Sequence, residues 1–332
     1  MEKESYKVSV IVPIFNVEKY IEHCAQTLFE QTLLDIEYIF VNDATLDNSI
    51  GILKKCIENY PDRSQHCHVL THTENLGLPA ARNTGMALAH GKYIFHCDGD
   101  DFVERDMLEK MVATAEQSDA DIIWSDWYLS YNKRERYMKQ PSYNTVTDAL
   151  KGILLGKMKY NVWNKLIKRE LYFNNNITFP KGYSMGEDMT IICLFACAKN
   201  IVYIPEAFYH YVKTNTNAMT ATWSEKHLRD LCHNVTHVID YIHLKFADSL
   251  NEYINYFKLN IKLPCLITDD YAMYDLWNKL YVESNLFICK NKMTPFRTRL
   301  VQWMAWKKQY WFVWLYYKFI YKFIYTFILR YR

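Results

Sequence analysis

The sequence predicts an α/β protein with a mostly parallel central sheet, and two observations support this prediction. Short apolar runs alternate with amphipathic stretches of helical spacing between residues 7 and 127. This alternation is typical of a parallel sheet with helices on both faces. Polar residues also collect just after three of the apolar runs, and ligands of such sheets bind beyond the carboxyl ends of the strands. With 332 residues, half of them hydrophobic, the chain can bury the core that this fold needs.

Five short apolar runs are the predicted strands, at residues 8–12, 36–41, 68–70, 93–95 and 121–124. Four stretches between them have helical spacing, at residues 18–30, 47–59, 79–89 and 106–117. Residues 128–180 are less regular, and a further apolar helix is predicted to follow Glu187. We expect three domains: residues 1–220 with the sheet, a helical extension over 221–300, and a basic amphipathic helix over 301–332.

The most informative motif is Asp98-Gly99-Asp100-Asp101, which follows the fourth predicted strand. Carboxylates crowded at the end of a buried strand repel one another unless a divalent cation and a phosphate neutralise them. An acidic turn is also a common surface feature. However, Asn16 and the pair Asn42-Asp43 follow the first and second strands. Because three strand ends then face one crevice, a metal-assisted site for a phosphorylated ligand is favoured, with Asp101 supporting the turn.

Ordered motifs over roughly residues 6–215 resemble those of family 2 inverting glycosyltransferases, which bind nucleotide-sugars on the α/β fold called GT-A. The matching segments are Val10-Ile-Val-Pro13-Ile-Phe-Asn16, Val41-Asn-Asp43-Ala-Thr-Leu-Asp47, Asn75-Leu-Gly77-Leu-Pro-Ala-Ala81-Arg82-Asn83-Thr-Gly85, Asp98-Gly-Asp100-Asp101, Trp163-Asn-Lys165-Leu and Glu187-Asp188. The last two are similar to acceptor-side motifs of bacterial polysaccharide and lipooligosaccharide transferases. The resemblance implies a GT-A fold that transfers a sugar from a nucleoside diphosphate.

On the donor side, the resemblance implies that groups near Pro13 and Asn16 hold the nucleotide base. Asp43 would accept the proton of the base imide. Mn²⁺ or Mg²⁺ on Asp100 would stabilise the departing diphosphate as a Lewis acid. Asp98 would either hold the ribose hydroxyls or share the metal.

On the acceptor side, inversion at the anomeric carbon needs one base that takes the proton of the attacking hydroxyl. The resemblance assigns this role to Asp188, and Glu187 would orient a sugar hydroxyl. Both residues could also simply cap a helix, because its dipole favours acids in the first turn. Arg82 would either order Asp43 or face the diphosphate, and the sequence leaves this choice open.

Three further residues have two interpretations each. Trp163 would stack on a sugar ring or lie in the core. Lys165 would contact phosphate or lie on the solvated surface. His210 would bind the metal or the diphosphate, although a hydrogen-bonded core histidine is the favoured alternative. The chain also departs from the family at Ala44, where a glycine is usual, so a positive φ there would strain the backbone.

The end of the chain is basic and aromatic. Ten Lys and Arg and no Asp or Glu follow Glu283, so residues 1–283 carry a net charge of −8 although the whole chain carries +2. On one helix over 301–332, the cations fall within an arc of about 160° and aromatic side chains fill most of the remainder. Lys318 and Lys322 would lie near the centre of any membrane span, so an interfacial helix on anionic lipid is favoured. Docking on the protein body or on a second subunit is the alternative, and nucleic acid fits less well.

We expect the body to be cytoplasmic, because residues 1–7 contain neither a cleavable apolar segment nor a small-residue cleavage site. Nine cysteines without repeated spacing fit reduced thiols. The protein would then be peripheral on the inner face of the cell membrane, where bacterial glycan assembly commonly presents lipid-linked acceptors.

The favoured function is therefore a metal-dependent, inverting glycosyltransferase. It would move a sugar from a UDP-sugar to a hydroxyl of a cell-surface glycan or a lipid-linked acceptor in a single displacement. A sugar nucleotidyltransferase would need a Gly- and Arg-rich phosphate loop, which residues 10–16 lack. A non-catalytic glycan-binding or scaffold protein docked on the membrane is disfavoured because Asp43, Asp98, Asp100 and Asp188 occur together. The donor sugar, the acceptor and the oligomeric state are not fixed by the sequence.

Overall fold

The computed structural model describes residues 6–131, 134–213, 225–320 and 322. The chain forms two compact units. The first comprises Met1–Leu150 and Lys159–Tyr241, and the second comprises Lys151–Met158 and Ile242–Arg332.

The first unit is built on one mixed, mostly parallel sheet. Its strands are β1 Val8–Ile14, β2 Ile36–Asn42, β3 Cys67–Thr71, β4 Tyr93–His96, β5 Phe102–Val103, β6 Ile122–Tyr131, β7 Arg134–Met138, β8 Lys165–Lys168 and β9 Ile201–Val212. They are arranged in the order β3-β2-β1-β4-β8-β6-β9-β5, and β7 pairs with β6. The first four strands are mutually parallel, whereas β8 runs antiparallel to β4 and β6. The predicted α/β class is confirmed.

The helices lie between and after these strands. They are α1 Ile21–Phe29, α2 Ser49–Glu58, α3 Pro61–Ser64, α4 Leu78–Leu88, α5 Met107–Ser118, α6 Val146–Leu154, α7 Arg169–Asn174, α8 Thr190–Cys197, α9 Glu225–Phe246, α10 Asn251–Lys262, α11 Tyr271–Lys279, α12 Phe296–Trp306 and α13 Tyr310–Tyr316. A short 3-10 turn, Glu187–Met189, leads directly into α8. The four helices predicted among the first strands correspond to α1, α2, α4 and α5.

The central strands align their carboxyl ends at one edge of the sheet. All seven residues of β1 are buried, as are all seven of β2. Val8 of β1 lies opposite Ile36 on one side and Tyr93 on the other, and the pairing is parallel. Because these strands start in register and run the same way, the loops that follow them emerge side by side. The two loops and the acidic turn after β4 are thereby brought together.

The second unit is helical, with a core that includes Trp277, Val301 and Val313. The continuous helix expected over residues 301–332 is interrupted, because α12 ends at Trp306 and α13 begins at Tyr310. Lys308 has a φ of 55°. Its N–H donates to Ala305 O at 2.9 Å, and the next N–H donates to Met304 O at 2.9 Å. This is the Schellman arrangement that ends helices.

Residues 323–332, with the last predicted cations of the tail, lie outside the described residues. Within the part of the chain that is described, no helix is both long and apolar enough to span a bilayer.

Candidate active site

Two loops after β1 and β2 form one side of the candidate site. Asn16 and Ala44 have φ angles of 55° and 54°. The N–H of Asn16 donates to Thr45 Oγ1 at 2.8 Å. Asp47 accepts from the Thr45 hydroxyl at 2.8 Å and from the N–H of Glu18 at 2.9 Å, so its carboxylate ties both loops together. The backbone near the end of β1 is thus fixed, and Ala44 adopts the left-handed conformation that strains a residue with a Cβ.

Asp43 is buried at the end of β2, and its carboxylate accepts hydrogen bonds from three donors. Its Oδ1 accepts from His72 Nδ1 at 2.7 Å and from the N–H of Leu76 at 2.8 Å, and its Oδ2 accepts from the N–H of Gly77 at 2.8 Å. A carboxylate has about four lone-pair sites, and these donors use three of them. Asp43 therefore joins the end of β2 to the beginning of α4. The sequence did not indicate His72, because it lies in no motif.

Arg82 on α4 is the cation around which three acidic side chains gather. It is only 1% exposed. Its Nη2 lies 3.1 Å from Asp98 Oδ1, 3.7 Å from Glu187 Oε1 and 3.8 Å from Asp188 Oδ1. Arg82 thus pairs with Asp98, Glu187 and Asp188, whereas the named partners of Asp43 are His72, Leu76 and Gly77. A single buried guanidinium links the motif of Asp98 to that of Glu187 and Asp188.

The acidic turn after β4 is held by Tyr209, a buried residue of β9. The Tyr209 hydroxyl accepts from the N–H of Asp98 at 3.1 Å and donates to Asp101 Oδ2 at 2.7 Å. The N–H of Val212 donates to Asp101 Oδ1 at 2.7 Å. Burial, with Asp100 and Asp98 nearby, raises the pKa of Asp101 well above its usual range. Asp101 therefore supports the turn, and no motif in the sequence indicates that Tyr209 would reach it.

Glu187 and Asp188 face Arg82 from the first turn of the 3-10 segment Glu187–Met189. Their place in this turn is also favourable for the helix dipole, so the two interpretations are compatible. Burial raises the pKa of Asp188 to about 6, against the lowering effect of Arg82. Burial and the charge of Asp188 raise the pKa of Glu187 well above its usual range. Burial thus raises the pKa of both carboxyl groups, and the adjacent Arg82 opposes the rise in each.

Lys165 at the start of β8 is 1% exposed and does not lie on the solvated surface. Its ammonium donates to the carbonyl oxygens of Lys159 and Asn161 at 3.0 and 2.6 Å, and to Asn164 Oδ1 at 2.9 Å. Burial lowers its pKa to about 7, and the charge of Asp188 opposes this shift. Lys165 thus holds together the loop that leads into β8.

Trp163 is packed against two tyrosines of β9 and is 5% exposed. Its ring stacks on Tyr209 with centroids 4.5 Å apart and on Tyr211 with centroids 5.5 Å apart. Trp127 meets it edge to face at 5.0 Å. These contacts support the core interpretation of Trp163 over sugar stacking.

His210 is enclosed by aromatic rings and carboxylates. Its ring stacks between Phe102 and Tyr128, with centroid distances of 4.2 and 4.7 Å. Nδ1 lies 2.7 Å from Glu135 Oε1, and Nε2 lies 3.0 Å from Glu104 Oε1. Binding a metal would require His210 to release one of these partners, so its contacts support the hydrogen-bonded alternative.

The acidic turn fits a divalent cation that is completed by the substrate. Among the residues that the structure describes, no three His, Cys, Asp or Glu side chains form a ready metal site. Mg²⁺ and Mn²⁺ at phosphate-transfer sites are commonly held by one or two carboxylates and by the phosphates themselves. Burial is the main cause of the raised pKa of Asp101, and the neighbouring charges of Asp100 and Asp98 add to it. A donor set of this kind suits a cation at Asp98 and Asp100.

The sequence matches the family model described as "Glycosyl transferase family 2" over residues 9–186. The uncharacterized glycosyltransferase EpsJ of Bacillus subtilis (strain 168) is 33% identical over 274 residues. The match covers 79% of this chain and 77% of EpsJ.

Two solved structures share the fold. A crystal structure of S. aureus TarS residues 1–349 has a TM-score of 0.68 at 17% identity, covering 94% of this chain and 91% of that chain. TarS has also been solved with UDP-GlcNAc. The mannosyltransferase PcManGT from Pyrobaculum calidifontis, solved with GDP-Man and Mn²⁺, has a TM-score of 0.52 at 16% identity, covering 95% of this chain and 88% of that chain. The expected GT-A fold is thus confirmed.

Proposed function

We propose, from the premise that this chain belongs to glycosyltransferase family 2, that it moves a sugar from a UDP-sugar to a hydroxyl group with inversion. The observation that carries the proposal is the gathering of Asp98, Glu187 and Asp188 around one nitrogen of the buried Arg82. It joins the donor and acceptor motifs in one site, as a single displacement requires. UDP-GlcNAc bound to the similarly folded TarS supports UDP as the nucleotide.

On the donor side, we place the nucleoside against the loops that carry Pro13, Asn16 and Asp43. A Cβ added to Gly99 would lie 3.1 Å from the carbonyl oxygen of Pro13, so the acidic turn packs directly on the end of β1, where the first of these loops begins. The diphosphate would then lie beside Asp98 and Asp100. A divalent cation held by these two carboxylates would supply the positive charge that stabilises the departing diphosphate. The Mn²⁺ in PcManGT supports a cation of this kind.

On the acceptor side, Asp188 is the proposed base. Its pKa of about 6 leaves it ionised at neutral pH and still basic enough to take the proton of an attacking hydroxyl. Arg82 favours the ionised form because an adjacent cation stabilises a carboxylate. Glu187 is proposed to keep its proton and to orient a sugar hydroxyl by hydrogen bonding. Lys165 and Trp163 are positioning residues in this scheme, because both are buried.

Two other functions have less support. A non-catalytic scaffold on this fold would not need three acids gathered around a buried arginine, because burying charges is unfavourable without a purpose or a partner. A sugar nucleotidyltransferase would need a cationic, glycine-rich loop after β1, where the chain has Phe15, Asn16 and Val17.

We propose an anionic membrane as the place of reaction, and α13 supplies the surface for it. Trp311 and Leu315 are 56% and 49% exposed, and Phe319, four residues further on, is 63% exposed. Val313 on the opposite face is fully buried. Helix α13 therefore packs into the core of the second unit by one side and presents an apolar side to solvent. Lys318, whose ammonium pairs with Asp269, and the exposed Lys322 lie next to this stripe. Lys322 would meet anionic headgroups there.

Liposome flotation tests this placement. We expect the protein to float with vesicles that contain phosphatidylglycerol. With vesicles of pure phosphatidylcholine it should stay at the bottom of the gradient. Replacing Trp311, Leu315 and Phe319 together by Ser should abolish flotation, whereas Leu244→Ser, at a position 81% exposed, is the matched control. Undiminished flotation of the triple variant would contradict the membrane surface and favour docking on a partner protein.

Nucleotide binding and turnover test the activity itself. Thermal unfolding with UDP, GDP and a panel of their sugars, with and without Mn²⁺, should show a shift that needs a uracil nucleotide and grows with the cation. UDP release from the matching sugar should follow. Asp98→Asn and Asp100→Asn should weaken the effect of the cation, whereas Asp62→Asn, at an exposed position, should not. No shift with any nucleotide would refute the proposal.

A further inference from the structure

The loop that precedes Glu187 is shaped by two glycines. Gly182 has a φ of +87° and Gly186 has a φ of +84°, conformations that suit residues without a Cβ. Between them stand Tyr183, Ser184 and Met185. The N–H of Glu187 donates back to Ser184 O at 3.4 Å, so the loop joins the acidic pair without a spacer.

This loop lies next to the donor site. A Cβ added to Gly77 would come within 3.1 Å of Ser184 Oγ. The N–H of Gly77 in turn donates to Asp43 at 2.8 Å. The loop is thus placed between the beginning of α4, where the donor motif lies, and the proposed base Asp188. A ligand group that rests on this loop would be near the reacting hydroxyl.

Two buried polar side chains of α9 hold the loop in place. Asp230 Oδ2 accepts from the N–H of Ser184 at 3.1 Å. Asn234 Nδ2 donates to the carbonyl oxygens of Tyr183 and Met185 at 3.1 and 2.8 Å. Asp230 and Asn234 are 4% and 3% exposed. Because every backbone bond of this clamp ends on a buried partner, the loop is fixed before a ligand arrives.

The same helix fixes the ring of Tyr183. The imidazole of His233 stacks on it with centroids 3.6 Å apart and planes 9° apart. Tyr183 remains 37% exposed. His233 thus covers one face of the ring and fixes its orientation. Tyr183 is a partly exposed, oriented aromatic side chain in the loop that leads into Glu187 and Asp188.

We propose that Tyr183, backed by His233, is a stacking platform for the sugar ring of the acceptor, an inference that rests on the proposed function. The C–H face of a pyranose is apolar and flat, and it packs on an aromatic face while its hydroxyls remain free for hydrogen bonds. A ring already held by stacking loses little conformational freedom when the sugar binds. Tyr183 binds the sugar ring, and Asp188 then takes the proton from the attacking hydroxyl of that sugar.

Steady-state kinetics with a panel of octyl glycosides as acceptor probes tests this role. The panel contains octyl β-glucoside, octyl β-galactoside and octyl N-acetyl-β-glucosaminide, and UDP release is followed at saturating donor. The acceptor is the glycoside that increases the rate of UDP release by the wild type. Tyr183→Ala should raise the KM for this glycoside about tenfold, while UDP release without acceptor stays unchanged. Tyr183→Phe and Tyr183→Trp should keep the wild-type KM, because they keep the ring face. Phe173→Ala, at a position 43% exposed, is the matched control.

The outcomes separate the platform from the activity. If the acceptor KM of Tyr183→Ala equals that of the wild type, the platform is overturned. It is also overturned if the wild type hydrolyses its donor but no glycoside accelerates UDP release. A wild type that neither binds nor hydrolyses any nucleotide-sugar would overturn the proposed function instead. If Tyr183→Ala does not fold, His233→Ala provides the same test, with an expected rise in acceptor KM of about threefold through loss of the backing ring.

Discussion

The pH dependence of sugar transfer gives the sharpest test of the acceptor side. Asp188 can take a proton from the attacking hydroxyl only when it is ionised. Burial raises its pKa to about 6, far above that of an exposed aspartate. Activity should therefore be full above this pKa and should fall as the pH drops through it. This fall is the acid limb of the pH–activity profile. An exposed carboxylate in this role would place the acid limb near pH 4.

The magnitude follows from this pKa. With a value of about 6, roughly nine tenths of Asp188 is ionised at pH 7 and roughly one tenth at pH 5. We expect kcat/KM to fall about tenfold between these two pH values. Asp188→Asn should lower kcat by about 10²–10⁴ and remove this limb, because removal of a general base has an effect of that size.

Arg82 provides an independent check on the assignment of the limb. Its guanidinium lowers the pKa of Asp188, so Arg82→Met should move the acid limb to higher pH even where activity is reduced. UDP release is measured from pH 5 to pH 8 at saturating Mn²⁺, with UDP affinity by calorimetry as the control for donor binding. Asp62→Asn, at an exposed position, should keep the wild-type profile. A limb that persists in Asp188→Asn, or that stays in place in Arg82→Met, would refute the reasoning.

Three further substitutions test the framework of the site by urea unfolding. Ala44→Gly should raise the free energy of unfolding by about 0.5–1 kcal/mol, because it relieves the strain of a φ of 54°; no gain would argue against strain. Gly99→Ala should lower it by about 1–2 kcal/mol and weaken UDP binding, because the new Cβ would lie 3.1 Å from Pro13 O and 3.2 Å from Val17 Cγ2; unchanged UDP affinity would contradict this packing. Lys165→Met should lower it by about 1–3 kcal/mol, because the buried side chain of Asn164 and two carbonyl oxygens lose their donor; a neutral result would show that the loop is held otherwise.

The sequence predicted the parallel half of the sheet because its signals are local. The buried strands β1 and β2 are continuous apolar runs, and their predicted ends differ from the observed ends by at most two residues at Ile14 and one at Asn42. The sequence predicts the acidic turn at the same edge as the first two strand ends. The observed parallel pairing of β4 with β1 places it there. Hydrophobic periodicity and the polar residues at strand ends were sufficient for this part of the fold.

The partners of the acidic turn could not be predicted in the same way. Tyr209 reaches Asp98 and Asp101 from a strand more than a hundred residues away along the chain. Its segment, β9, carries mixed apolar and aromatic residues. This composition fits an ordinary core strand as well as a strand that contributes to a site. Asp230 and Asn234 lie on a helix without a recognisable motif. A long-range hydrogen bond leaves no periodic signal in either segment, so only the folded chain shows it.

The tail shows how a correct pattern can still give an incorrect element. Residues 301–316 keep their aromatic spacing through the break, so the pattern alone favours one helix. A left-handed residue at Lys308 ends α12, although glycine is usual at that position. The break turns the chain, and Val301, Ala305 and Val313 all enter one core. Trp311, Leu315 and Phe319 then remain on the exposed side of α13 and the turn after it. The membrane docking that we propose would therefore depend on this short stripe, and three substitutions within it are enough to test it.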